Sequence, residues 1–347
     1  MTVQADCVWM DGKFVNWSEA KIHVMTHALH YGTGVFEGIR AYPANGDLCV
    51  FRLKEHMSRL FNSAVVYRLK CNFTIDELCD ATLELLRRNK IHVPAYIRPI
   101  IYASHLDVRL DVLKGSTSIA ICAFPMEKLF ERQGLKVCVS SWRRIDDSST
   151  PPLAKACGNY INSILAKIEA SSNGYDDAIL LDRNGTVSEG SGENIFMVKS
   201  GKLATPPLTC SILPGITRET VMTVARDLGI RVEERAISRA ELYTGDEVFF
   251  TGTAAEIEPI LAIDGRAISD GKVGPMTKRL IDLYGMIVRG KEPRYNHWLT
   301  SVYGDASPTK PMETKDTRRG KDHTNLASRV GWSDFESDLL QETRPQS

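Results

Sequence analysis

Short apolar runs alternate with amphipathic helical segments along most of this 347-residue chain. Tyr96–Ser104 and Thr117–Phe124 are rich in isoleucine and alanine and predict buried strands, whereas Leu53–Arg68 carries its apolar residues at helical spacing. The sequence Thr74-Ile-Asp-Glu77 is a capping box and predicts a helix that continues to about Lys90. A chain that interleaves strands and helices in this way covers its sheets with helices, so the pattern predicts a mixed α/β protein.

Two further local signals place elements in the two halves of the chain. Asp11-Gly12 lies at the centre of Val8–Val15 and predicts a β-hairpin turn. Asn159–Ser171 predicts an amphipathic helix. The residues expected to share its apolar face are Ile161, Ile164, Leu165 and Ile168.

Two breaks in the pattern suggest how the chain is divided. Residues 126–134 are charged and end in glycine, which predicts a connector between a small N-terminal α/β domain, residues 1–125, and a larger domain, residues 135–300. Residues 301–347 are rich in Ser, Thr, Asp, Lys and Arg, and this composition predicts a mostly disordered extension. Trp332–Leu340 has the spacing of a short apolar helix, although a solvated segment is the favoured interpretation.

Composition and charge exclude several classes of function. Forty-three basic residues balance forty-three acidic ones, whereas proteins that bind nucleic acid or anionic membranes carry a basic excess. No apolar run approaches the ~18 residues of a spanning helix, and no signal peptide is visible. The eight cysteines are scattered without a C-x-x-C pair, which predicts reduced thiols and a cytoplasmic protein.

Three histidines form the first candidate site. His23, His27 and His30 are spaced by four and three residues, so on a helix they would share a face, as metal ligands do. Gly32 and Gly34 follow at once, and no glutamate lies between the histidines as it does in zinc proteases. We therefore expect no metal site here.

The second candidate is Lys155, which lies in the segment Pro151–Tyr160 among small residues rather than charges. An amine that is removed from water loses its charge more readily, becomes a nucleophile and can form a Schiff base. A surface lysine in a loop before a helix is the alternative, and on this segment alone that alternative is favoured.

The third candidate comprises a carboxylate pair and two turns that expose backbone amides. Glu189 and Glu193 are general acids or bases, or else turn residues. Leu213–Glu219 enters a helix through Gly215 and offers unpaired amides to a phosphate, although a plain helix cap has the same pattern. Thr251–Glu256 is a second such turn. A Schiff-base lysine, a carboxylate and a phosphate cradle together are the attachments that pyridoxal phosphate requires.

In this combination the chain resembles the class IV (fold-type IV) pyridoxal-phosphate aminotransferases. The signature of that class is matched, in order, by Glu189, Ser191, Asn194-Ile-Phe196, Leu203-Ala-Thr205 and Leu213-Pro-Gly215-Ile-Thr-Arg218. The resemblance is strongest to the bacterial branched-chain amino-acid aminotransferases and covers residues 5–299. It rests also on the segments Lys21–Arg40, Glu55–Leu60, Ala95–Pro99, Ala154–Tyr160 and Thr251–Glu256.

The resemblance implies two α/β domains with the cofactor at their interface. It also implies reversible transfer of an amino group from L-leucine, isoleucine, valine or a related L-amino acid to 2-oxoglutarate, through an aldimine between Lys155 and pyridoxal 5′-phosphate. The other implied cofactor-binding residues are Arg59, Tyr160, Glu189, Ile216, Thr217 and Thr253. The implied substrate-binding residues are Phe36, Tyr96, Arg98, Thr253, Ala254 and, from a second subunit, Tyr31. A site that needs Tyr31 from a second subunit implies a homodimer or a larger homo-oligomer.

Two departures from the family pattern concern substrate preference. The charged sequence Ser104–Asp111 replaces a glycine-containing loop, and Met126 stands where close relatives have tryptophan. The alternatives are another fold-type IV activity, such as a D-amino-acid or (R)-amine aminotransferase or aminodeoxychorismate lyase, and a scaffold without catalysis.

Overall fold

The computed structural model describes residues 4–127 and 134–304. Within these residues, one sheet is built from the N-terminal part of the chain and from one strand near residue 300. Its strands are β1 (Cys7–Met10), β2 (Lys13–Asn16), β3 (Gly34–Phe36), β4 (Ile39–Ala44), β5 (Asp47–Phe51), β6 (Ala95–Ala103), β7 (Thr117–Pro125) and β17 (Leu299–Ser301). The strands are antiparallel in the order β17-β5-β4-β6-β7-β1-β2, and β3 pairs with β6.

The second sheet is built from residues 135–267 and is mixed. Its strands are β8 (Leu135–Arg143), β9 (Asp177–Leu181), β10 (Val187–Gly190), β11 (Asn194–Lys199), β12 (Lys202–Thr205), β13 (Val232–Glu234), β14 (Glu247–Gly252), β15 (Glu256–Ile263) and β16 (Arg266–Ala267). The order is β10-β9-β8-β15-β14-β11-β12-β13, with β16 on β15. β8 runs parallel to β9 and β15, whereas β11 and β14 are antiparallel. The mixed α/β fold class is therefore confirmed, and the division into domains at residues 126–134 stays a prediction.

The described residues form seven α-helices. They are α1 (His27–Tyr31), α2 (Leu53–Val66), α3 (Ile75–Arg88), α4 (Tyr160–Ser172), α5 (Ile216–Asp227), α6 (Arg239–Leu242) and α7 (Pro275–Val288). Of these, α1 and α6 are short and were not predicted. Short 3-10 turns lie at Trp17–Glu19, Cys157–Asn159, Leu208–Cys210 and Pro293–Trp298. Thr74 and Glu77 form the predicted reciprocal capping box at the start of α3. Met10 pairs with Lys13 across the predicted hairpin turn.

The predicted buried face of α4 is wrong. Ile161, Ile164 and Ile168 are exposed on this chain, with Ile161 at 60%, whereas the face toward β8 and β9 carries Ser163 and Ala166. Small side chains let the helix backbone approach the sheet closely. The face that carries them is therefore buried against the sheet, and the face that carries the three isoleucines is not.

The expected start of the C-terminal extension at residue 301 is too early. Ser301 pairs with Cys49, and the side chain of Val302 is completely buried. The backbone amides of Tyr303 and Gly304 both donate to the carboxylate of Asp47. The sequence Ser-Val-Tyr-Gly therefore completes the first sheet. Residues 305–347, including the predicted helix at Trp332–Leu340, and residues 128–133 of the predicted connector lie outside the described residues.

Apolar clusters hold the helices on the two sheets. α2 and α3 pack on the first sheet through side chains such as Met57, Leu60 and Leu85. α5 and α7 pack on β14 through a second cluster that includes Phe249 and Leu280, and that cluster also contains Tyr42 and Phe51 of the first sheet. Strands of both sheets therefore share one core beside the site described next. None of the helices in the described ranges is long and apolar enough to span a membrane.

Candidate active site

Eleven of the twelve predicted site residues line one cavity of about 300 Å³ between the two sheets. They are Phe36, Arg59, Tyr96, Arg98, Lys155, Tyr160, Glu189, Ile216, Thr217, Thr253 and Ala254. This volume is at the lower end of the range for small-molecule sites, which extends from roughly 300 to 1,000 Å³. Residues that are 218 positions apart in the chain therefore meet around one space.

Lys155 lies in the irregular segment between β8 and α4, and its backbone is fixed on both sides. Its amide N donates to Ser63 Oγ over 3.0 Å, and its carbonyl accepts the Phe36 amide over 3.0 Å. The side chain is half-buried, and Nζ donates to Tyr160 Oη over 2.6 Å. Nζ is also 5.1 Å from the ring centres of Phe36 and Tyr160, which are 4.9 Å from each other, so the amine lies beside a pair of packed aromatic rings in the cavity.

Glu189 lies near the end of β10 and lines the cavity, with 5% of its surface exposed. Its Oε1 is 2.9 Å from Arg144 Nε in an ion pair. Its Oε2 accepts the Leu213 amide over 2.9 Å and Asn194 Nδ2 over 3.0 Å. Burial raises the pKa of Glu189 above its usual range, and the Arg144 guanidinium opposes this shift.

Arg59 also lines the cavity and is held by a carboxylate, Glu37, that the sequence analysis did not single out. Its Nε donates to Glu37 Oε1 over 2.6 Å and its Nη2 to Glu37 Oε2 over 2.9 Å, while Nη1 reaches the Pro214 carbonyl over 2.8 Å. His56 Nδ1 lies 2.7 Å from Glu37 Oε2. Burial by itself would raise the pKa of Glu37, but Arg59 and the His56 hydrogen bond hold it well below its usual range.

The start of α5 lines the cavity beside Arg59, which contacts the Pro214 carbonyl just before the helix. Gly215 is the N-cap and has no capping side chain, and Ile216 and Thr217 form the first turn. The first amides of a helix have no acceptor within the helix, and the helix dipole favours an anion there. An arginine and an uncapped helix start therefore form a cradle for an anionic group.

Arg98 and Tyr96 form the rim of the cavity on β6. Arg98 Nη2 donates to Tyr96 Oη over 2.8 Å, and the guanidinium carbon is 4.7 Å from the centre of the Phe36 ring. Arg98 remains exposed, so its charge is available beside an aromatic surface. A ligand that enters here meets both an apolar wall and a cation.

Tyr31 is the one predicted residue that does not line the cavity of its own chain. It is 42% exposed on α1, and its Oη donates to the Val108 carbonyl over 2.8 Å. The loop that it holds exposes Leu106, Val108 and Leu110 to solvent, the last at 77%. The contribution of Tyr31 from a second subunit stays a prediction.

His27, from the histidine cluster, has structural partners. It is completely buried, and its ring nitrogens lie 2.7 Å from Thr33 Oγ1 and 3.0 Å from the Arg109 carbonyl. Its ring packs on Tyr31 and His105. The histidine therefore fixes the loop of residues 104–111 against α1.

Comparison with known proteins places this site in a family. The model of the amino-transferase class IV family matches residues 34–263. A branched-chain-amino-acid aminotransferase from Escherichia coli (strain K12) is 45% identical over 306 residues, which are 87% of this chain and 99% of that protein.

The chain belongs to the class IV aminotransferases.

Solved structures of aminotransferases agree with the fold. A branched-chain aminotransferase from Thermoproteus uzoniensis with norvaline has a TM-score of 0.84 at 49% identity and covers 86% of this chain and 100% of that one. The branched-chain amino acid aminotransferase from Thermobaculum terrenum, in its PLP-containing holo-form, has a TM-score of 0.82 at 42% identity and covers 86% and 98%. These matches confirm the predicted fold-type IV architecture, the pyridoxal-phosphate-dependent transaminase class and the branched-chain group.

The cavity of this aminotransferase fits pyridoxal phosphate chemically. A phosphate matches the cradle at Arg59 and α5, a ring nitrogen matches the buried carboxylate of Glu189, and an aldehyde matches the amine of Lys155. Thr251 lines this space as well, and its buried hydroxyl has no hydrogen-bond partner in the described part of the chain. A buried hydroxyl without a partner on a cavity wall is an available contact for a ligand.

Sequence analysis missed three residues that orient the predicted site residues Arg59 and Glu189. Glu37 and Asn194 belong to segments that match the family pattern, but no role was assigned to them. Arg144 lies outside every matching segment. Arg144 reaches Glu189 across 45 positions of sequence, and no local pattern can reveal such a pair. Glu193 also lines the cavity, and burial together with the nearby Asp177 raises its pKa.

Proposed function

We propose that this chain transfers the amino group of L-leucine, L-isoleucine or L-valine to 2-oxoglutarate, in both directions, with Lys155 as the catalytic residue. The single observation that supports this most is the convergence of Lys155, Arg59 and Glu189 on one small cavity. Bound pyridoxal phosphate supplies a cationic ring that stabilises negative charge at the substrate Cα.

Lys155 would have two tasks, attachment of the cofactor and movement of the proton of the substrate Cα. Its Nζ is held by the hydrogen bond to Tyr160 and lies beside the packed rings of Phe36 and Tyr160, so a proton taken by the amine is held near the reacting carbon. A base positioned in this way contributes roughly 10²–10⁴-fold to a rate.

Glu189 would pair with the ring nitrogen and Tyr160 with the ring oxygen of the cofactor. The pairing requires Glu189 as a carboxylate. Arg144 and the two hydrogen bonds to Oε2 support that form against the cost of burial.

Arg59, the Ile216 and Thr217 amides and the Thr253 side chain would hold the phosphate. Arg59 is pre-oriented by the fork of contacts with Glu37, and one N–H on each of its terminal nitrogens remains for a ligand after the contacts described above. A fixed donor set of this kind binds phosphate at less entropic cost than a flexible one.

The substrate site must accept an aliphatic and an anionic side chain in turn. Tyr96 and the 253–254 turn would bind the α-carboxylate, and Phe36 would line the side-chain pocket. Arg98, together with Tyr31 of a second subunit, would bind the distal carboxylate of glutamate. The exposed apolar loop beside Tyr31 supports a homodimer or a larger homo-oligomer.

A cytoplasmic location is part of the proposal. The eight cysteines all lie in the described residues, and each is a free thiol. Unpaired thiols are typical of a reducing compartment. Amino-acid biosynthesis in that compartment is the process that we expect this enzyme to serve.

A substrate panel tests the proposal. With 2-oxoglutarate as acceptor, we expect L-leucine, L-isoleucine and L-valine to give glutamate at the highest kcat/KM. Preference for D-amino acids, for (R)-amines or for aminodeoxychorismate would favour one of the other fold-type IV activities. A protein that binds pyridoxal phosphate but transfers no amino group from any donor would be a scaffold.

A further inference from the structure

We infer that Asn194 is a positioning residue that couples the ring-nitrogen end of the cofactor site to its phosphate end. The inference rests on the proposed function, because it concerns how this chain holds the two ends of one ligand. In this role the carboxamide of Asn194 fixes the position of Glu189 relative to the turn before α5.

The first observation is that Asn194 spans both ends by hydrogen bonds. Its Nδ2 donates to Glu189 Oε2 over 3.0 Å and to the Leu213 carbonyl over 2.9 Å. An amide nitrogen carries two hydrogens, so both are used, and the residue is only 5% exposed. Neither acceptor can move away without leaving a buried donor unpaired, which is costly.

The second observation is that the contacts form a closed ring. The Leu213 amide donates to the same Glu189 Oε2 over 2.9 Å, while the Leu213 carbonyl accepts from Asn194. Asn194 and Leu213 therefore share the oxygen of Glu189 and are bound to each other. A displacement of the 213–215 turn must be transmitted to the carboxylate, and the reverse holds as well.

The third observation explains why residue 215 is glycine. Its φ of −72° is open to any residue, so conformational freedom is not the reason. A Cβ at position 215 would instead overlap Oδ1 of Asn194. The amide oxygen thus sets the closest approach of the N-cap of α5, whose first amides face the phosphate position.

The fourth observation is that the coupling residue is anchored to rigid structure. Asn194 is the first residue of β11, and its backbone pairs with Thr251 of β14. The turn that carries Thr253 and Ala254 begins at the end of β14. Asn194 therefore connects both proposed cofactor ends and the proposed substrate turn to one position in the sheet. Support from a rigid element of this kind keeps site residues within a fraction of an ångström of their productive positions.

Binding of two aldehydes separates coupling from a local effect. The probes are pyridoxal 5′-phosphate and pyridoxal, which lacks the phosphate. The ratio of their dissociation constants, pyridoxal over pyridoxal phosphate, measures the benefit that the chain draws from the phosphate. We measure it on the full-length chain, stripped of cofactor, for the unmodified protein and for Asn194→Leu.

We expect Asn194→Leu to weaken the binding of both probes and to lower the ratio by about tenfold or more, because the phosphate cradle loses its position together with Glu189. An unchanged ratio, with both probes weakened equally, would restrict Asn194 to the ring end and overturn the inference. Unchanged binding of both probes would overturn it as well.

A second variant keeps the inference testable if Asn194→Leu does not fold. Gly215→Ala lies at the phosphate end, yet we expect it to shift the pH dependence of the visible absorbance of the bound cofactor, which reports on the ring and its acid. No shift in that pH dependence would contradict coupling. The matched control is Asn89→Leu, which removes an amide bonded to the Asp6 and Cys7 backbone away from the cavity and should leave the ratio unchanged.

Failure of the proposed function gives a different result. If the unmodified chain bound neither probe, the cofactor assignment itself would be wrong. If it bound both normally and only the variants behaved otherwise than expected, the coupling by Asn194 would be wrong and the function would stand.

Discussion

Two buried carboxylates of the candidate site, Glu37 and Glu189, both face an arginine, yet their pKa values shift in opposite directions. Glu37 receives two N–H groups of Arg59 and a hydrogen bond from His56, so its charge is satisfied on both oxygens. Only one nitrogen of Arg144, Nε, lies close to Glu189. It forms an ion pair with Glu189 Oε1 but does not have the geometry of a hydrogen bond. The geometry of the partner, rather than its charge alone, decides whether burial is overcome.

The difference matches two tasks. Glu37 has no access to the cavity and only orients Arg59, so a permanently ionised carboxylate suits it. In the proposed mechanism Glu189 responds to a proton on the cofactor ring, and a carboxylate that is held less firmly in its charged form can do so. The four predictions below test this contrast.

Glu37→Leu has the largest expected effect. It leaves the guanidinium of Arg59 buried and unpaired, and breaking a buried pair in this way costs about 3–5 kcal/mol of unfolding free energy. Urea unfolding of the full-length chain measures the loss. The control is Glu55→Leu, which removes a half-exposed partner of Arg52 and should cost no more than about 1 kcal/mol. Equal losses in the two variants would contradict a special role for Glu37.

Glu189→Gln should act on turnover rather than on folding. The amide cannot balance a cationic ring nitrogen, and loss of one such stabilising group lowers kcat by roughly 10²–10³-fold. Steady-state kinetics with L-leucine and 2-oxoglutarate measure this. Glu233→Gln breaks an arginine pair elsewhere in the same sheet and should leave kcat unchanged. A Glu189→Gln enzyme with normal kcat would remove Glu189 from the mechanism.

Arg144→Met should shift a pH profile. Arg144 lowers the pKa of Glu189, so its removal lets burial raise that pKa further. The carboxylate is then protonated at a higher pH, and the acidic limb of the kcat profile moves to higher pH. The neighbouring exposed Arg143→Met serves as the control. A shift to lower pH, or none, would show that Arg144 does not act on Glu189.

The smallest expected effect concerns how the free energy of unfolding depends on pH. Relative to the unmodified chain, Glu37→Gln and Glu189→Gln should change with pH in opposite directions. Glu37, with its lowered pKa, stabilises the folded chain above its unfolded pKa, so Glu37→Gln loses more stability, relative to the unmodified chain, as pH rises through that value. Glu189, with its raised pKa, binds protons more tightly when folded, so Glu189→Gln gains relative stability as pH rises from the unfolded pKa through the higher folded pKa. Urea unfolding at several pH values measures both slopes, and slopes of the same sign would refute the comparison.

Prediction from sequence worked where a local pattern carries the information. The turn at Asp11-Gly12, the capping box at Thr74 and the signature around Glu189 each lie within a few residues, and the structure has the corresponding elements. The cavity residues were found because a family signature connects distant segments that no propensity links.

Prediction failed where the outcome depends on what packs against a segment. The isoleucines of α4 have perfect helical spacing, but closeness to the sheet favoured Ser163 and Ala166 on the buried face. The roles of Arg144, which pairs with Glu189, and of His56, which contacts Glu37, depend on contacts between segments that are distant in sequence. Only the three-dimensional structure reveals such contacts. The end of the first sheet at residues 301–304 was missed because polar composition hid the burial of Val302.

The most direct test of the account is to locate the covalent attachment. The purified full-length chain, loaded with pyridoxal phosphate, is reduced with borohydride, digested and analysed by mass spectrometry. The account predicts a phosphopyridoxyl group on Lys155 and loss of that label in Lys155→Ala. A label on another lysine, or no reducible linkage in a chain that transfers amino groups, would contradict it.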